Sequence, residues 1–236
     1  MRFRDMPEFT SLGLKDVRVV YTSELWPKKV SKVEPNLDFI ATKAIPRIRA
    51  DRPDRIIIDI EHWPLAEVDD AKAKRNIDRY MSVIDTFRQH MPETKVGYYG
   101  TVPTRNYWAP VKKDTAAIAT WRNDNKRLAP LAEALDTIYP SLYTFYDDVP
   151  GWTTYALANI EEARQYGKPI YPFLWPQYHR SRKPIAGDFW RLQLDTVFKN
   201  ADGVVIWTPA RGGPKWDPDT PWWHHTVDFL KSTAAN

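Results

Sequence analysis

The stretch RIIIDIEHW, residues 55–63, decides how the rest of the chain is interpreted. An aliphatic run near its start is followed by two carboxylates, Asp59 and Glu61, that are separated by one residue. A continuous apolar run is typical of a parallel strand that is covered on both faces. Side chains at positions i and i+2 of a strand point to the same side. We therefore expect the two carboxylates to lie side by side, within about 7 Å, at the carboxyl end of this strand.

Other apolar runs predict further strands, and amphipathic stretches between them predict helices. The remaining strands are expected at 17–26, 95–100, 136–145, 168–178 and 203–208, and a further strand is expected within 3–14. The helices are expected at 37–50, 73–91, 115–135 (in two pieces divided near Pro130), 154–167, 187–200 and 222–233. This order predicts an α/β fold: one TIM-like (β/α) barrel over residues 1–236, irregular, with seven or eight strands. A doubly wound sheet is the alternative, but no glycine-rich phosphate motif follows any strand.

Composition narrows the classes of function. The chain has no cysteine, which excludes disulfides, thiol catalysis and cysteine–zinc sites. The net charge of +4 fits an anionic substrate, and no block of like charge resembles a nucleic-acid-binding arm. No apolar run is long enough to predict a membrane span, and the start of the chain predicts no signal peptide. The compartment stays open between the cytoplasm, a phage product released by lysis and a secreted enzyme without its leader.

The acid pair and the aromatic residues point to carbohydrate chemistry. Two close carboxylates repel, and burial raises their pKa, so one of them can stay protonated as a general acid. The alternative is that these strand-end acids cap a helix or pair with a cation. Aromatic residues make up 14% of the chain, a fraction that fits either a groove for sugars or other flat ligands or a large aromatic core. Several follow the predicted strands, with one asparagine among them: Tyr98, Tyr99, Asn106, Tyr107, Tyr139, Tyr143, Trp175, Tyr178 and Trp207.

Five segments, in order, resemble motifs of the hyaluronidase family of glycoside hydrolases. They are IDIEHWPL, GYYGTVPTRNYW, IYPSLY, KPIYPFLWPQY and GVVIW, and together they cover roughly residues 50–210. The chain looks like a compact bacterial or phage-type relative, without the disulfides and the additional carboxyl-terminal module of the family. His62 stands where the family has an acid, and the segment 103–108 is altered, so Asn106 and Tyr107 compete for one tyrosine role.

The resemblance implies a retaining mechanism in which the substrate's own N-acetyl carbonyl is the nucleophile. It assigns Glu61 as proton donor and base, and Asp59 as the group that orients the acetamide and raises the pKa of Glu61. It assigns Tyr143 as the residue that hydrogen-bonds the acetamido oxygen. It places Trp207 under the sugar and puts Trp63, Tyr98 and Tyr99 around the site. Basic residues of the loops, Arg105, Arg180 and Arg211, are expected to meet carboxylates of an anionic polysaccharide.

Other interpretations remain. A chitinase-like enzyme would match Asp54, Asp59 and Glu61 but would need an acid where the chain has Ile57. Another glycosidase would use a second protein carboxylate, such as Glu24, Asp147 or Asp148. A non-catalytic carbohydrate-binding barrel is the third alternative. We expect a monomer with no cofactor and no nucleic-acid or membrane partner. We also expect no metal site, because the adjacent His224 and His225 would point about 100° apart on a helix.

Overall fold

The computed structural model describes residues 9–208 and 216–234 of the chain. The strands are β1 (Arg18–Tyr21), β2 (Arg55–Asp59), β3 (Lys95–Tyr98), β4 (Phe173–Leu174) and β5 (Val205–Ile206). The helices are α1 (Thr22–Leu25), α2 (Leu37–Phe39), α3 (Ile45–Ala50), α4 (Asp70–His90), α5 (Trp108–Val111), α6 (Thr115–Lys126), α7 (Ala129–Glu133), α8 (Val149–Arg164), α9 (Gly187–Asn200) and α10 (Pro221–Ala234). Thr10–Leu12 form a 3₁₀ turn, and Ile40–Ala44 form a π-helical segment.

The strands are parallel and neighbour one another in chain order. The first sheet has the order β1-β2-β3, and β4 pairs with β5. Isolated parallel bridges connect these two sheets through residues 138–141: Tyr99 with Tyr139, Ile138 with Ile170, and Ser141 with Phe173. The described residues therefore contain an arc of six parallel strand segments. Such an arc brings the carboxyl ends of all its strands to one edge.

The predicted barrel of seven or eight strands is shown only in part. Within the described residues, the ends of the arc are joined by a side-chain hydrogen bond, because the Trp207 Nε1–H donates to Tyr21 Oη at 2.9 Å. The prediction of a strand within 3–14 is wrong at Thr10–Leu12, because these residues form a 3₁₀ turn. Residues 3–8 lie outside the described residues. The run 17–26 is also shorter as a strand than expected, since the chain turns into α1 after Tyr21.

Short polar side chains begin most of the predicted helices. The Asp69 carboxylate accepts from Lys72 N–H at 2.7 Å, so α4 begins three residues before the expected position. Asp114 and Asp148 cap α6 and α8 in the same way. Such caps satisfy backbone donors that have no partner inside the helix. The predicted division of 115–135 is confirmed, because α6 ends at Lys126 and α7 begins at Ala129.

The central strand β2 is apolar because both of its faces are covered. Ile56 and Ile58 belong to the core between the sheet and the helices, together with Ile84 and Phe87 of α4. Ile57 belongs to a separate core on the concave side of the arc, with Phe173 and other inward residues. All three isoleucines are fully buried. The same alternation points the next odd-numbered side chain, that of Asp59, to the concave side.

Candidate active site

The two carboxylates predicted from the sequence meet at the end of β2. Asp59 is the last residue of the strand and is half-buried, whereas Glu61 follows it and is exposed. Burial, then the negative charge of Glu61 and hydrogen bonding to its carboxyl group, together raise the pKa of Asp59 to about 7. The resemblance assigned the raised pKa to Glu61, but here Asp59 has it because Asp59 is the more buried acid. The pair therefore holds a proton near neutral pH.

Neither acid forms an ion pair with any residue in the part of the chain that the structure describes. Other carboxylates at strand ends are engaged elsewhere. Glu24 forms an ion pair with Arg18 and accepts from the backbone N–H of Tyr21. Asp147 accepts from the Tyr178 hydroxyl. Asp148 caps α8, as described above. The Asp59–Glu61 pair thus differs from these acids in having no cationic or capping partner.

Three aromatic rings form a wall at the same edge of the arc. The Tyr143 and Trp207 rings are stacked, with centroids 5.7 Å apart, and Trp175 meets both of them edge-on at 5.5 and 5.1 Å. Trp175 and Trp207 are each held by their indole N–H, which donates to Gln177 Oε1 and to Tyr21 Oη, respectively. Edge-on and offset contacts of this kind fix ring orientation. The wall is therefore pre-organised beside the acid pair.

Tyr143 is connected to a line of hydroxyl groups. Its ring lies 5.7 Å from that of Tyr99, and the Tyr99 hydroxyl hydrogen-bonds with Ser141 Oγ at 2.9 Å. The Arg105 guanidinium donates to the same Ser141 oxygen at 3.4 Å. Burial raises the pKa of Tyr143 well above its ordinary value, and the nearby charge of Asp59 contributes to the rise. Tyr143 therefore stays a neutral hydrogen-bonding group that faces the acids.

Two further residues belong to the site and were not among the predicted site residues. Tyr21 lies at the end of β1, and the charge of Asp59 contributes to raising its pKa above the ordinary value, after the larger effect of burial. His179 stacks on the Tyr143 ring at 5.8 Å, and its pKa is lowered, chiefly by burial and then by Arg105. Tyr21 had a sequence signal, since it follows Val19 at the i, i+2 spacing. For His179, the only sequence signal was its position after a predicted strand.

The structure places two of the predicted site residues in the helical shell. Tyr98 is fully buried, and its hydroxyl donates to the backbone carbonyl of Tyr80 in α4 at 2.9 Å. Trp63 packs on Tyr80, and its indole N–H donates to the carbonyls of Lys32 and Val33. Adjacent residues of a strand point to opposite faces, so Tyr98 points outward and Tyr99 points inward. Tyr98 and Trp63 are therefore structural residues of the outer core and not part of the candidate site.

Tyr139 and Tyr178 also lie apart from the acid pair. The Tyr139 hydroxyl lies beside Arg55, the first residue of β2, and so faces the opposite end of that strand from Asp59. The Tyr178 hydroxyl donates a hydrogen bond to Asp147 Oδ1 at 2.5 Å. Both aromatic rings were predicted from their position near strand ends. The direction of each side chain excludes it from the wall.

In the altered segment 103–108, the two residues predicted for the family's tyrosine role, Asn106 and Tyr107, do not lie at the acid pair. The Asn106 side chain accepts from Ala109 N–H at 2.9 Å and holds the start of α5. Tyr107 is buried against Tyr155 of α8, and its ring also contacts Trp108. Both residues therefore stabilise the α5–α8 region. Neither takes the tyrosine role that the resemblance implies.

His62, the departure from the family pattern, packs against aromatic rings. Its centroid lies 5.4 Å from Trp26 and 4.8 Å from Trp63. Burial lowers its pKa. The histidine thus contributes to an aromatic cluster beside the acid pair. Arg211, predicted to meet an anionic substrate, lies outside the described residues.

The described residues contain neither a cluster of metal ligands nor a membrane-spanning helix. No group of three or more His, Asp or Glu side chains is arranged to hold a metal ion there. None of the described helices combines the length and the apolar character that a membrane span requires.

Solved structures with a similar fold include several glycoside hydrolases. Bee venom hyaluronidase in complex with a hyaluronic acid tetramer has a TM-score of 0.64 and 14% identity, over 93% of this chain and 84% of that chain. The endo-beta-1,4-mannanase from Thermotoga petrophila has a TM-score of 0.53 and 14% identity, over 83% and 48%. Alpha-L-fucosidase isoenzyme 2 from Paenibacillus thiaminolyticus has a TM-score of 0.54 and 12% identity, over 84% and 30%. The sequence itself matches no protein-family model and no curated protein.

These similarities establish a glycosidase-like fold for the chain. At identities of 12 to 14% they concern the path of the backbone and not the chemistry. Any function must therefore be argued from the side chains at the end of β2.

Proposed function

We propose that this protein is a retaining glycoside hydrolase that acts on an N-acetylhexosamine-containing polysaccharide by substrate-assisted catalysis. The observation that carries the proposal is the pair of carboxyl groups at the end of β2. The pair holds a proton near neutral pH and lies beside the wall of Tyr143, Trp175 and Trp207. The bee venom hyaluronidase fold, with its bound hyaluronic acid tetramer, supports the same substrate class.

The two acids divide the work according to their exposure. Glu61 is exposed, and through it the proton that the pair holds near neutral pH passes to the glycosidic oxygen as the bond to the anomeric carbon breaks. Asp59 is more buried and hydrogen-bonded to Glu61, and it orients the N–H of the acetamido group. The acetamido oxygen attacks the anomeric carbon and forms a bicyclic intermediate. Water then opens this intermediate and gives a proton to Glu61, with net retention of configuration.

The aromatic wall provides the remaining contacts. Tyr143 supplies a neutral hydroxyl that donates a hydrogen bond to the acetamido oxygen, since its pKa is raised well above the ordinary value. Trp207 and Trp175 present rigid apolar faces to the sugar ring and to the N-acetyl methyl group. Arg105 lies at the rim, where it is exposed, and adds a positive charge that favours an anionic polysaccharide.

The side-chain geometry argues against the other interpretations. A second protein nucleophile would have to be Glu24, Asp147 or Asp148, and all three are engaged in other contacts. A chitinase-like site would need an acid at position 57, where Ile57 is fully buried in the apolar concave core. The loss of an acid at His62 removes no group from the wall, because His62 packs against Trp26 and Trp63.

The proposal is tested by measuring reducing-end release from hyaluronan, chondroitin and chitin oligomers. We expect Glu61→Gln to abolish turnover, while Glu93→Gln, an exposed glutamate remote in the sequence, serves as the matched control and retains it. We expect NMR of the first product to show the retained anomer and an N-acetylglucosamine thiazoline to inhibit. Turnover that survives Glu61→Gln, or cleavage of a substrate without an N-acetyl group, would refute the mechanism.

A further inference from the structure

Trp108 is an unusual residue for the surface of this protein. Its side chain is 46% exposed, and it begins the short helix α5, whose start is held by the hydrogen bond from Ala109 N–H to Asn106 Oδ1. Burial of a tryptophan in a protein core contributes favourable free energy, so an exposed and fixed indole is a feature that needs a reason. Its ring is fixed from the inner side by Tyr107 at 5.0 Å and Tyr146 at 4.9 Å.

The Trp108 ring is connected to the candidate active site by an unbroken series of rings. Tyr143, in the aromatic wall, stacks on His179 at 5.8 Å. His179 contacts Phe145 at 4.9 Å, Phe145 contacts Tyr146 at 6.5 Å, and Tyr146 contacts Trp108. All except Tyr143 are half-buried or exposed. We call these five residues (Tyr143, His179, Phe145, Tyr146 and Trp108) the aromatic strip.

Three cations lie over rings of the aromatic strip. The Arg105 guanidinium is 4.6 Å from the Phe145 centroid, the Arg180 guanidinium is 5.8 Å from that of Tyr146, and Lys112 Nζ is 5.1 Å from that of Trp108. All three cations are exposed, and none forms an ion pair with a residue that the structure describes. Asp147 and Asp148, the carboxylates next to Tyr146 in the sequence, are engaged by the Tyr178 hydroxyl and by the start of α8.

Apolar ring faces and unpaired cations together fit one kind of ligand, a sugar chain with acidic substituents. The apolar face of a pyranose packs on an aromatic ring, while a cation beside the ring binds a carboxylate or a sulfate. Because the strip begins at Tyr143, in the wall beside the Asp59–Glu61 pair, one polysaccharide chain is able to occupy both the pair and the strip. A membrane or a protein partner would not require this continuity with the acid pair.

We propose that the outer end of the aromatic strip is a distal subsite, in which Trp108 stacks on a sugar remote from the cleaved bond and Lys112 and Arg180 bind its acidic group. This inference rests on the proposed function for the bond that is cleaved, and it adds a contact at Trp108 that only a long acidic chain reaches. A short oligosaccharide fills the wall at Tyr143 and does not reach Trp108.

The test compares Trp108→Ala with Phe198→Ala, which removes an aromatic side chain that is 60% exposed on α9, outside the strip. The substrates are hyaluronan oligosaccharides of defined length. We expect Trp108→Ala to lower kcat/KM on long chains about tenfold, the usual scale for an aromatic contact that stacks on a ligand, and to leave tetrasaccharide cleavage unchanged. An equal loss on both lengths, or the same loss in Phe198→Ala, overturns the subsite. Trp108→Phe keeps a ring and is expected to retain most of the effect.

The acidic group is tested with Lys112→Gln, and Lys199→Gln on α9 is the control. We expect Lys112→Gln to weaken cleavage of hyaluronan or of chondroitin sulfate, and added salt to reduce the difference from wild type. A larger effect on hyaluronan identifies a carboxylate as the ligand of Lys112, and a larger effect on chondroitin sulfate identifies a sulfate. An equal effect on neutral chitin oligomers overturns the assignment of an acidic group.

A binding experiment separates the failure of this subsite from the failure of the proposed function. Calorimetry with the Glu61→Gln protein measures binding of the same hyaluronan oligosaccharides without cleavage. One outcome is that the wild type cleaves no substrate, while adding Trp108→Ala to the Glu61→Gln protein lowers its affinity for long chains only. In that case the subsite stands and the hydrolase assignment is refuted. If cleavage depends on Glu61 but Trp108→Ala changes nothing, the hydrolase assignment stands and the subsite is refuted.

Discussion

Asp59→Asn is expected to make the protein more stable at alkaline pH than the wild type. The raised pKa of Asp59 means that the folded protein binds a proton more tightly than the unfolded chain does. Between pH of about 4 and about 7, the folded state therefore has more bound protons than the unfolded state. Wild-type stability therefore falls as pH rises through this window and stays at the lower level above it. Asparagine does not titrate, so the variant lacks this loss.

The magnitude follows from the size of the pKa shift. The Asp59 pKa rises from an ordinary 3.8 to about 7, and each unit corresponds to about 1.4 kcal/mol, which sets an upper bound of about 4 kcal/mol. The carboxyl is half-buried at a site open to water, so solvent screening reduces the effect to about 1–2 kcal/mol. In the variant, the asparagine amide replaces the lost hydrogen-bond donor beside Glu61.

The assay is urea unfolding of both proteins at about pH 4.5 and about pH 8.5, with the free energy of unfolding extrapolated to water. The quantity to compare is the variant-minus-wild-type difference, which we expect to grow by about 1–2 kcal/mol from the acidic to the alkaline condition. Asp85→Asn, on the exposed side of α4, shows how much of the change comes merely from removing one negative charge. A difference that is the same at both pH values would show that Asp59 is an ordinary ionised carboxylate.

Three further predictions concern the acid pair and its support. Activity is expected to fall as pH rises through about 7, because the shared proton is lost there, and a pH–rate profile that stays flat from pH of about 6 to 8 would contradict this. Gly97→Ala is expected to lower the free energy of unfolding by about 1–3 kcal/mol, because its Cβ would lie 2.5 Å from the Tyr139 ring; thermal melting measures the loss, and an unchanged melting temperature would exclude the clash. Asp148→Ala is expected to cost about 1 kcal/mol, since Gly151 N–H loses its acceptor at the start of α8; urea unfolding checks it, and Asp148→Asn, which keeps the acceptor, should recover most of the stability.

The local order of the chain was largely available from the sequence. Apolar runs predicted all the described strand segments between 17 and 208, and periodicity predicted the longer helices, including the break between α6 and α7. The short helices α1 and α5 were not predicted. The spacing of Asp59 and Glu61 predicted that they would meet at a strand end, because alternation along a strand is a property of the backbone alone. The resemblance to a glycosidase family likewise agreed with the glycosidase-like fold of the similar structures.

Which side chains face the site was decided only by the tertiary structure. Tyr98 and Tyr99 are adjacent, and the sequence gives no sign that the first packs on α4 while the second joins Tyr143, because both faces of a parallel strand are apolar. In the same way, the contact between Trp207 and Tyr21 joins residues 186 positions apart and depends on how the arc of strands curves. Local spacing fixes which residues share a face, whereas packing against helices or against the concave core determines which face is inside.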